Sequence, residues 1–422
     1  MIETRPKRNH ERAILIGLEQ EGVSKWDLRD SMEELAELAN SAGAEVVDTI
    51  TQKLQKPTAP YYIGKGKAEL IKDSLQDRQV TSVIFNDELS PAQGRNLENL
   101  LARKVLDRTQ LILDIFAQRA RSREGRLQIE LAQLQYLLPR LTGMWEHLSR
   151  QTGGIGMRGP GETQLEVDRR RVQERIARLE RELESVRKTR AVQRQGRKRH
   201  QWPVASVVGY TNAGKSTLLN LLTGADVVAE NRLFATLDPT TRSFTLPNKQ
   251  RVLLTDTVGF LRKLPHTLIE SFKATLEEVS EADLLIHVVD LSHARVDEQM
   301  EAVDKVTKEL DAYGKQTLIV FNKIDNLADR ELAETYVKRF SGSVAISART
   351  GEGVNKLVQA LQEALSSWRL RLNFRIPTKE SALLAEIHRV GHVLELKYEG
   401  DDAVIVAHVP PHLEAKLSRL SQ

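Results

Sequence analysis

The sequence predicts an α/β protein: a doubly wound sheet, preceded by an α/β unit with a long helical hairpin and followed by a small α+β domain. Three observations carry this prediction. Short apolar strands alternate with helical stretches near the N-terminus and again between about residues 202 and 368. Leucine-rich segments with coiled-coil spacing lie between these regions. Near the C-terminus, Val393–Tyr398 and Ala403–Val409 flank a turn-forming stretch, which is typical of a β-hairpin.

Length and composition set the broad class. At about 100–200 residues per domain, 422 residues allow two to four domains. We expect four: an N-terminal α/β domain at 1–122, the helical hairpin with its glycine-rich loop and basic linker at 123–200, the domain with the doubly wound sheet at 201–368 and a small α+β domain at 369–422. The absence of cysteine excludes disulfides, thiolate metal sites and cysteine nucleophiles. The first apolar stretch, Ala13–Leu18, is too short for a signal peptide or a membrane span. We therefore expect a cytoplasmic monomer without stable membrane insertion.

The N-terminal unit alternates strands and helices. Ala13–Leu18, Glu45–Ile50 and Val80–Phe85 are the predicted strands, and the predicted helices are Leu28–Leu38, Lys67–Leu75 and one that opens at Ser90-Pro91. Gly43 stands where a helix commonly ends on glycine. A second nucleotide site is conceivable at Gly64–Lys67, but the spacing fits no phosphate-loop pattern, which favours a surface turn.

Two apolar seams predict the helical hairpin. Their members recur at spacings of 4, 3, 4 and 3 and are Leu127, Leu131, Leu134, Leu138 and Leu141, and then Val172, Ile176, Leu179, Leu183 and Val186. The glycine-rich stretch Gly153–Gly161 separates the seams and cannot lie inside a helix. We therefore expect an antiparallel hairpin whose first arm is kinked or ended by Pro139.

The net charge is 62 − 58 = +4, so its distribution matters more than its sum. Arg187–Arg199 contains seven basic residues and no acidic one. Its composition is typical of a linker, and such a run indicates a nucleic-acid partner, with a solvated charged face as the alternative. In the hairpin, where Glu174 and Glu180 interleave with the basic residues, the two interpretations are equally open.

A phosphate-binding motif follows the strand Val204–Val208. The pattern G-x-x-x-x-G-K-S, followed by the helix Thr217–Leu222, consists of Gly209, Tyr210, Thr211, Asn212, Ala213, Gly214, Lys215 and Ser216. Backbone N–H groups of such a loop point at phosphate oxygens, and the helix N-terminus adds positive potential. Lys215 can reach the β- and γ-phosphates, and the hydroxyl of Ser216 can bind Mg²⁺.

Further motifs occupy the ends of later strands. After the strand Val252–Thr255 come Asp256, Thr257, Val258 and Gly259, where an Asp can hold Mg²⁺ and a Gly N–H can approach a γ-phosphate. After Thr317–Phe321 come Asn322, Lys323, Ile324 and Asp325. The Asp325 carboxylate can accept both donors of guanine, N1–H and the N2 amino group, whereas adenine would leave it unpaired. After Val344–Ile346 come Ser347, Ala348 and Arg349, where the Ala348 N–H could bind guanine O6.

Four motifs at strand ends resemble the G-domain of small GTPases over about residues 202–368. The loop GYTNAGKST, the stretch Phe234–Thr241 and Asp256–Phe260 resemble in particular the HflX family of ribosome-associated GTPases. Gly153–Glu166 and Leu113–Ala120 also match that family, so that the resemblance covers about residues 10–368.

The resemblance implies a Mg²⁺-dependent GTPase that binds the large (50S) ribosomal subunit and its RNA. The role it implies is in ribosome splitting, rescue or biogenesis. The residues alone leave Thr236, Thr240 and Thr241 open as the switch threonine, and the family pattern indicates Thr236, with Thr240 as runner-up. The resemblance also places a switch segment in the nucleotide site, consisting of Phe234, Ala235, Thr236, Leu237 and Asp238. It implies that Ser216 and Thr236 are the metal ligands. The resemblance also implies that the glycine-rich loop Gly153–Gly161 is a tip that inserts into ribosomal RNA, with a plain flexible turn as the alternative.

Phe260 stands where many small GTPases carry a Gln that orients the attacking water. A phenyl ring cannot do this, so we assign no catalytic residue and expect slow intrinsic hydrolysis that depends on a partner. The alternative function is a GTP-switched RNA-binding assembly factor with little turnover. A metabolic kinase is disfavoured by the guanine-reading motif Asn322–Asp325 and by the lack of an obvious acceptor site.

Overall fold

The computed structural model describes residues 11–21, 25–141, 164–199, 202–224, 233–234, 236–261, 278–310, 312–368, 370–409, 413 and 417. The chain divides into two compact units, and the boundary between Ser185 and Val186 falls inside a helix. In the described residues the first unit contains one sheet and the second contains two, and each unit has its own buried apolar residues.

The first unit is built on a parallel four-stranded sheet with the order β2-β1-β3-β4. Its strands are β1 (Glu11–Glu19), β2 (Ala44–Lys53), β3 (Ser82–Phe85) and β4 (Lys104–Asp107). Its helices are α1 (Lys25–Ala42), α2 (Lys65–Asp77), α3 (Pro91–Leu101) and α4 (Arg108–Arg119). Ser90 caps α3 in a capping box with Gln93, as the Ser-Pro start suggested. The short strand β4 gave no detectable signal in the sequence.

The hairpin arms are α5 (Arg123–Leu137) and α6 (Gln164–Arg199). The guanidinium of Arg175 on α6 donates hydrogen bonds of 2.7 and 2.9 Å to the Glu130 carboxylate on α5, so the helices lie side by side. Leu179 and Leu183 of the second seam are buried. Helix α5 ends at Leu137, before the proline. The glycine-rich stretch Gly153–Gly161 lies outside the described residues.

Helix α6 differs from the prediction for Arg187–Arg199. That stretch is not a separate linker, because the helix continues to Arg199. Arg, Lys and Gln are good helix formers, and a single internal glycine costs only about 1 kcal/mol relative to alanine. A composition that suggests a linker is therefore equally compatible with the end of a long helix.

The second unit is built on a six-stranded sheet with the order β10-β9-β8-β5-β7-β6, parallel except for β6. Its strands are β5 (Val204–Gly209), β6 (Thr240–Thr245), β7 (Arg251–Asp256), β8 (Leu284–Asp290), β9 (Thr317–Asn322) and β10 (Val344–Ala345). Its helices include α7 (Lys215–Thr223), α8 (Val296–Glu309), α9 (Glu331–Arg339) and α10 (Val354–Ala364). The carboxyl ends of the parallel strands share one edge, where the candidate site lies.

A three-stranded antiparallel sheet with the order β11-β13-β12 follows. It consists of β11 (Leu370–Pro377), β12 (His392–Glu399) and β13 (Asp402–Val409), together with the helix α11 (Ser381–Val390). The predicted hairpin is β12–β13. The pairing of β11 with β13 is not a local property of the sequence and was not predicted. Within the described ranges, no helix is both long enough and apolar enough to cross a membrane.

Candidate functional site

Two glycines shape the loop between β5 and α7. Gly209 has φ +152°, and a Cβ there would lie 2.2 Å from the carbonyl oxygen of Val288. Gly214 has φ +96°, and a Cβ there would lie 2.3 Å from Nδ2 of Asn322. Both positions therefore require glycine, because both have positive φ and a side chain would collide with the backbone of β8 or with the side chain of Asn322. The loop curls tightly at the N-terminus of α7, as a phosphate-binding loop does.

Lys215 begins α7, and its side chain is buried. Its ammonium donates to the carbonyl oxygens of Gly209, at 3.2 Å, and Tyr210, at 2.7 Å. Burial lowers the pKa of Lys215 to about 8, and the charge of Lys323 lowers this pKa further, whereas Asp256 opposes the shift. Among the described residues this ammonium donates only to carbonyl oxygens, which it can exchange for phosphate oxygens.

Three oxygen-bearing side chains meet beside this loop. The Ser216 hydroxyl donates to Oδ2 of Asp256 at 2.7 Å and lies 2.8 Å from Oγ1 of Thr236. Burial raises the pKa of Asp256, and the Lys215 charge opposes this rise. Oδ1 of Asp256 is buried and has no hydrogen-bond partner among the described residues. This oxygen-only set, with one orphaned carboxylate oxygen, fits the preference of Mg²⁺.

The three candidate switch threonines have different surroundings. Only Thr236 lies at Ser216. Thr240 opens β6, and the hydroxyl of Thr241 lies 3.0 Å from that of Thr255 across the sheet. The choice of Thr236 therefore has geometric support. Around it, Phe234 and Leu237 are buried, Asp238 is partly exposed, and Ala235 lies outside the described residues.

The segment after β7 lies against the phosphate loop. Gly259 approaches it so closely that a Cβ there would lie 2.9 Å from the Cα of Thr211 and 3.0 Å from Nζ of Lys215. The backbone of Phe260 donates to Gly209 O at 3.1 Å and accepts from the Thr211 N–H at 2.8 Å. The phenyl ring is 1% exposed, so Phe260 packs inside the protein. The side chain of Thr257 points back to β5, donating to Val207 O at 2.7 Å.

Asn322 joins two of the loops. Its amide donates to Ala213 O at 2.8 Å, and its Oδ1 accepts the backbone N–H of Ala348 at 2.9 Å. These two hydrogen bonds link Asn322 to the phosphate loop and to the segment after β10. The Ala348 N–H, which the sequence predicts as the donor to guanine O6, donates here to Oδ1 of Asn322.

The guanine-reading motif continues into a 3₁₀ turn, Ile324–Asn326. The Ser347 hydroxyl donates to Oδ1 of Asp325 at 2.7 Å, and so the third and fourth motifs meet. Lys323 has φ +64°, and its ammonium forms a 2.6 Å ion pair with Asp290. The structure thus adds Asp290 to the residues of the candidate site. The sequence analysis missed Asp290, although this residue ends the apolar strand β8 as Asp256 ends β7. Arg349 is exposed, and Val258 and Ile324 are buried.

No group of three or more His, Asp or Glu side chains suited to a metal ion occurs in the part of the chain that the structure describes. A divalent ion at Ser216, Thr236 and Asp256 would therefore need oxygens from its ligand as well. Mg²⁺ bound together with nucleotide phosphates meets that requirement.

Comparison with known proteins identifies the family. Family descriptions match in chain order: "GTP-binding GTPase N-terminal" at residues 29–117, "GTP-binding GTPase Middle Region" at 119–197 and "50S ribosome-binding GTPase" at 204–323. GTPase HflX from Lacrimispora saccharolytica is 48% identical over 412 residues, which is 98% of this chain and 96% of that protein. The chain belongs to the HflX family of GTPases.

A second relative agrees with this HflX-family membership. GTPase HflX from Escherichia coli K12 is 47% identical over 379 residues, covering 90% of this chain and 89% of that protein. Among solved structures, the crystal structure of the SsGBP and GDP complex is 27% identical with a TM-score of 0.49, covering 84% of this chain and 98% of that one.

Membership of the HflX family confirms three predictions. The chain is a member of the HflX family, its second unit has a P-loop GTPase fold, and it is a GTP hydrolase. We therefore interpret the site at the carboxyl edge of the sheet as a guanine-nucleotide site.

Proposed function

We propose that this HflX-family GTPase binds Mg²⁺–GTP at the carboxyl edge of the six-stranded sheet and hydrolyses it on the large ribosomal subunit. Its role there would be in ribosome splitting, rescue or biogenesis, in the cytoplasm. The observation that carries the nucleotide part is the meeting of four motifs, linked by the hydrogen bonds of Ser216, Asn322 and Ser347. The description of the matching GTPase domain as 50S ribosome-binding supports the partner.

In this proposal the loop Gly209–Ser216 holds the phosphates through its backbone N–H groups, and Lys215 gives up its two carbonyl partners for β- and γ-phosphate oxygens. Ser216 and Thr236 hold Mg²⁺, with Asp256 beside them. When bound, Mg²⁺ supplies positive charge that neutralises the phosphate oxygens. Gly259, already next to Lys215, is placed to offer its N–H to the γ-phosphate.

At the base, the Asp325 carboxylate accepts N1–H and the N2 amino group of guanine. Its Oδ1 already accepts from Ser347, which fixes the carboxylate in one orientation before the nucleotide arrives. The Ala348 N–H, held by Asn322, is the donor proposed for guanine O6. Adenine offers neither of these two donors and would leave the carboxylate with no partner on the base, which explains the selection.

The burial of Phe260 supports dependence on a partner. Its ring is inside the protein, and its backbone pairs with the phosphate loop, so this residue offers no polar side chain to the attacking water. A ribosome that orders the switch segments around the nucleotide would then raise the rate of hydrolysis. If turnover proves slow in every state, the chain is instead the GTP-switched assembly factor.

Helix α6 carries basic residues along its whole length, but acidic residues are interleaved only in its first part. In the first part of the helix, Arg170 lies 3.9 Å from Glu174, Arg171 3.7 Å from Asp168, and Arg178 3.0 Å from Glu182. The stretch Arg187–Arg199 contains seven basic residues and no acidic one. We propose that this concentration of positive charge contacts the phosphate backbone of ribosomal RNA. The stretch Gly153–Gly161 is the proposed tip that inserts into that RNA.

Sedimentation with ribosomal subunits tests the partner. The protein should pellet with the large subunit when a non-hydrolysable GTP analogue is present, and less with GDP. GTP turnover should rise when ribosomes are added. A protein that stays in the supernatant in both nucleotide states, with the same turnover in either case, contradicts the ribosome role.

A pair of matched variants tests the RNA-facing part. Neutralising Arg190, Arg194 and Arg197 to Gln should weaken ribosome binding and lower its salt dependence, because about one counterion fewer is released per lost phosphate contact. The control neutralises Arg170, Arg171 and Arg178, which have acidic partners. Deleting Gly153–Gly161 should leave docking largely intact and reduce only the stimulation of hydrolysis. Equal salt dependence for both arginine triplets would remove the basic stretch from the proposed interface.

A further inference from the structure

Asp290, which forms an ion pair with Lys323, belongs to none of the motifs found by sequence. Strands β8 and β9 pair in parallel with Asp290 opposite Asn322, which sets the Asp290 carboxylate beside the residue that follows β9. Nζ of Lys323 lies 2.6 Å from Oδ2 of Asp290. The two side chains are only 24% and 14% exposed, so that water screens this pair less than a surface pair.

The other oxygen of Asp290 is also engaged. Oδ1 accepts from the Ser292 backbone N–H at 3.0 Å and from its hydroxyl at 2.6 Å. The backbone N–H of Leu291 donates to Asn322 O at 3.0 Å, so the two strand ends are tied together as well. The carboxylate is therefore held in one orientation, with Oδ2 directed at Lys323.

Lys323 needs such a partner for two reasons. Its backbone has φ +64°, a region that non-glycine residues rarely adopt, so its side chain leaves the strand end in an unusual direction. Its charge is also close enough to Lys215 to lower the pKa of that residue. Without a counter-charge, the Lys323 ammonium would be free to move to the phosphates, the strongest anions at the site.

We propose that Asp290 is a positioning residue for guanine-nucleotide binding: it holds the Lys323 ammonium, so that the aliphatic stem of Lys323 lies along the base. This inference rests on the guanine site proposed above and adds to it a residue outside the four motifs. The interaction that Asp290 supports is with the face of the base, common to GTP and GDP. It does not involve the N2 amino group, which Asp325 reads.

The variant Asp290→Asn isolates the charge. An Asn at 290 is nearly isosteric, and its oxygen can still accept from Ser292, while the carboxylate partner of Lys323 is lost. GDP and a non-hydrolysable GTP analogue should both bind about tenfold more weakly, within the range of couplings measured between contacting residues. Inosine diphosphate, which lacks the N2 amino group, should lose the same factor relative to its own wild-type affinity. Asp297→Asn is the matched control, because Asp297 pairs with the exposed Arg339 at 2.9 Å within the same unit.

A double-mutant cycle completes the test by titration calorimetry. Lys323→Ala should weaken GDP binding, and adding Asp290→Asn to it should weaken binding no further, because the positioned side chain is already gone. Additive losses, or a GDP affinity of Asp290→Asn within twofold of wild type, would overturn the inference. If Lys323→Ala and Asp325→Asn also leave GDP binding unchanged, the guanine site itself is misplaced. The melting temperature of the nucleotide-free Asp290→Asn variant should match that of the control, which separates positioning from a general loss of structure.

Discussion

The hydroxyl oxygens of Ser216 and Thr236 lie 2.8 Å apart, although one belongs to the phosphate loop and the other to a switch segment. The Ser216 hydroxyl also donates to Asp256 at the end of β7. Three separate parts of the chain therefore meet at one small cluster of oxygens. Because Thr236 takes part in this cluster, the choice among Thr236, Thr240 and Thr241 as the switch threonine can be tested by mutation.

Thr236→Ala should lower GTP hydrolysis by about 100-fold, because the γ-phosphate state would lose a Mg²⁺ ligand. GDP affinity should change little, since this threonine engages the metal only when the γ-phosphate is present. Thr236→Ser keeps the hydroxyl and should retain most activity. Single-turnover rates for these variants and for Thr240→Ala decide between the two positions: a larger loss in Thr240→Ala would transfer the assignment to Thr240.

Asp325→Asn should weaken GTP binding by about 100-fold or more and favour xanthine nucleotides, because the Asn amide can donate to the carbonyl at position 2 of xanthine. Competition between GTP and XTP, measured by displacement of a fluorescent nucleotide, gives the ratio directly. Unchanged GTP affinity in Asp325→Asn would show that another residue reads the base.

Asn322→Ala should destabilise the nucleotide-free protein as well as weaken GTP binding. It leaves the Ala348 N–H and the Ala213 carbonyl without their partner, and each unpaired group costs about 1–3 kcal/mol. Denaturant unfolding checks the stability. Asn326→Ala, in the exposed part of the following turn, is the control and should change unfolding little. Equal stability of the two variants would mean that Asn322 does not brace the loops.

Nucleotide affinity should fall as pH rises through about 8. In the free protein burial lowers the pKa of Lys215 to about 8, so the ammonium loses its proton above that pH. Phosphates favour the charged form, and the complex therefore binds about one proton more than the free protein, weakening binding by up to about tenfold per pH unit. Calorimetry of GDP binding at pH 8.5 in buffers of different ionisation enthalpy measures the proton uptake. Lys215→Ala should abolish it, and proton uptake that persists in this variant would assign it to another group.

His287 on β8 predicts an acid-side loss of stability. Burial, reinforced by the charge of Lys215, lowers its pKa to about 4, whereas in the unfolded chain histidine titrates near 6.5. Between these values the unfolded state binds a proton that the folded state does not, so stability falls as pH decreases from about 6.5 to about 4. The loss should approach about 3 kcal/mol. Urea unfolding at several pH values should show a shallower pH dependence for His287→Gln than for wild type or for the exposed control His392→Gln.

The elements that sequence predicted best are those with strong local signals. The phosphate loop, the capped start of α3 and the β12–β13 hairpin depend on residues close together in the chain. Strand β4 and the pairing of β11 with β13 escaped prediction because their support comes from distant partners. The basic stretch was misinterpreted as a linker because composition does not distinguish a charged linker from the end of a solvated helix.

For this protein the sequence by itself predicted the chemistry of the site: a loop with the phosphate-binding pattern, a carboxylate that can read guanine and a hydrophobic residue after D-x-x-G. Those are properties of residue types at fixed local spacing. Only the tertiary structure decided which threonine stands at Ser216, and that Asp290 meets Lys323. Both contacts join side chains from separate segments. The parallel pairing of β8 with β9, set by backbone hydrogen bonds, places Asp290 next to the residue that follows β9. The antiparallel pairing of β6 with β7 sets Thr240 opposite Asp256 and so brings the segment before β6 to the same edge of the sheet.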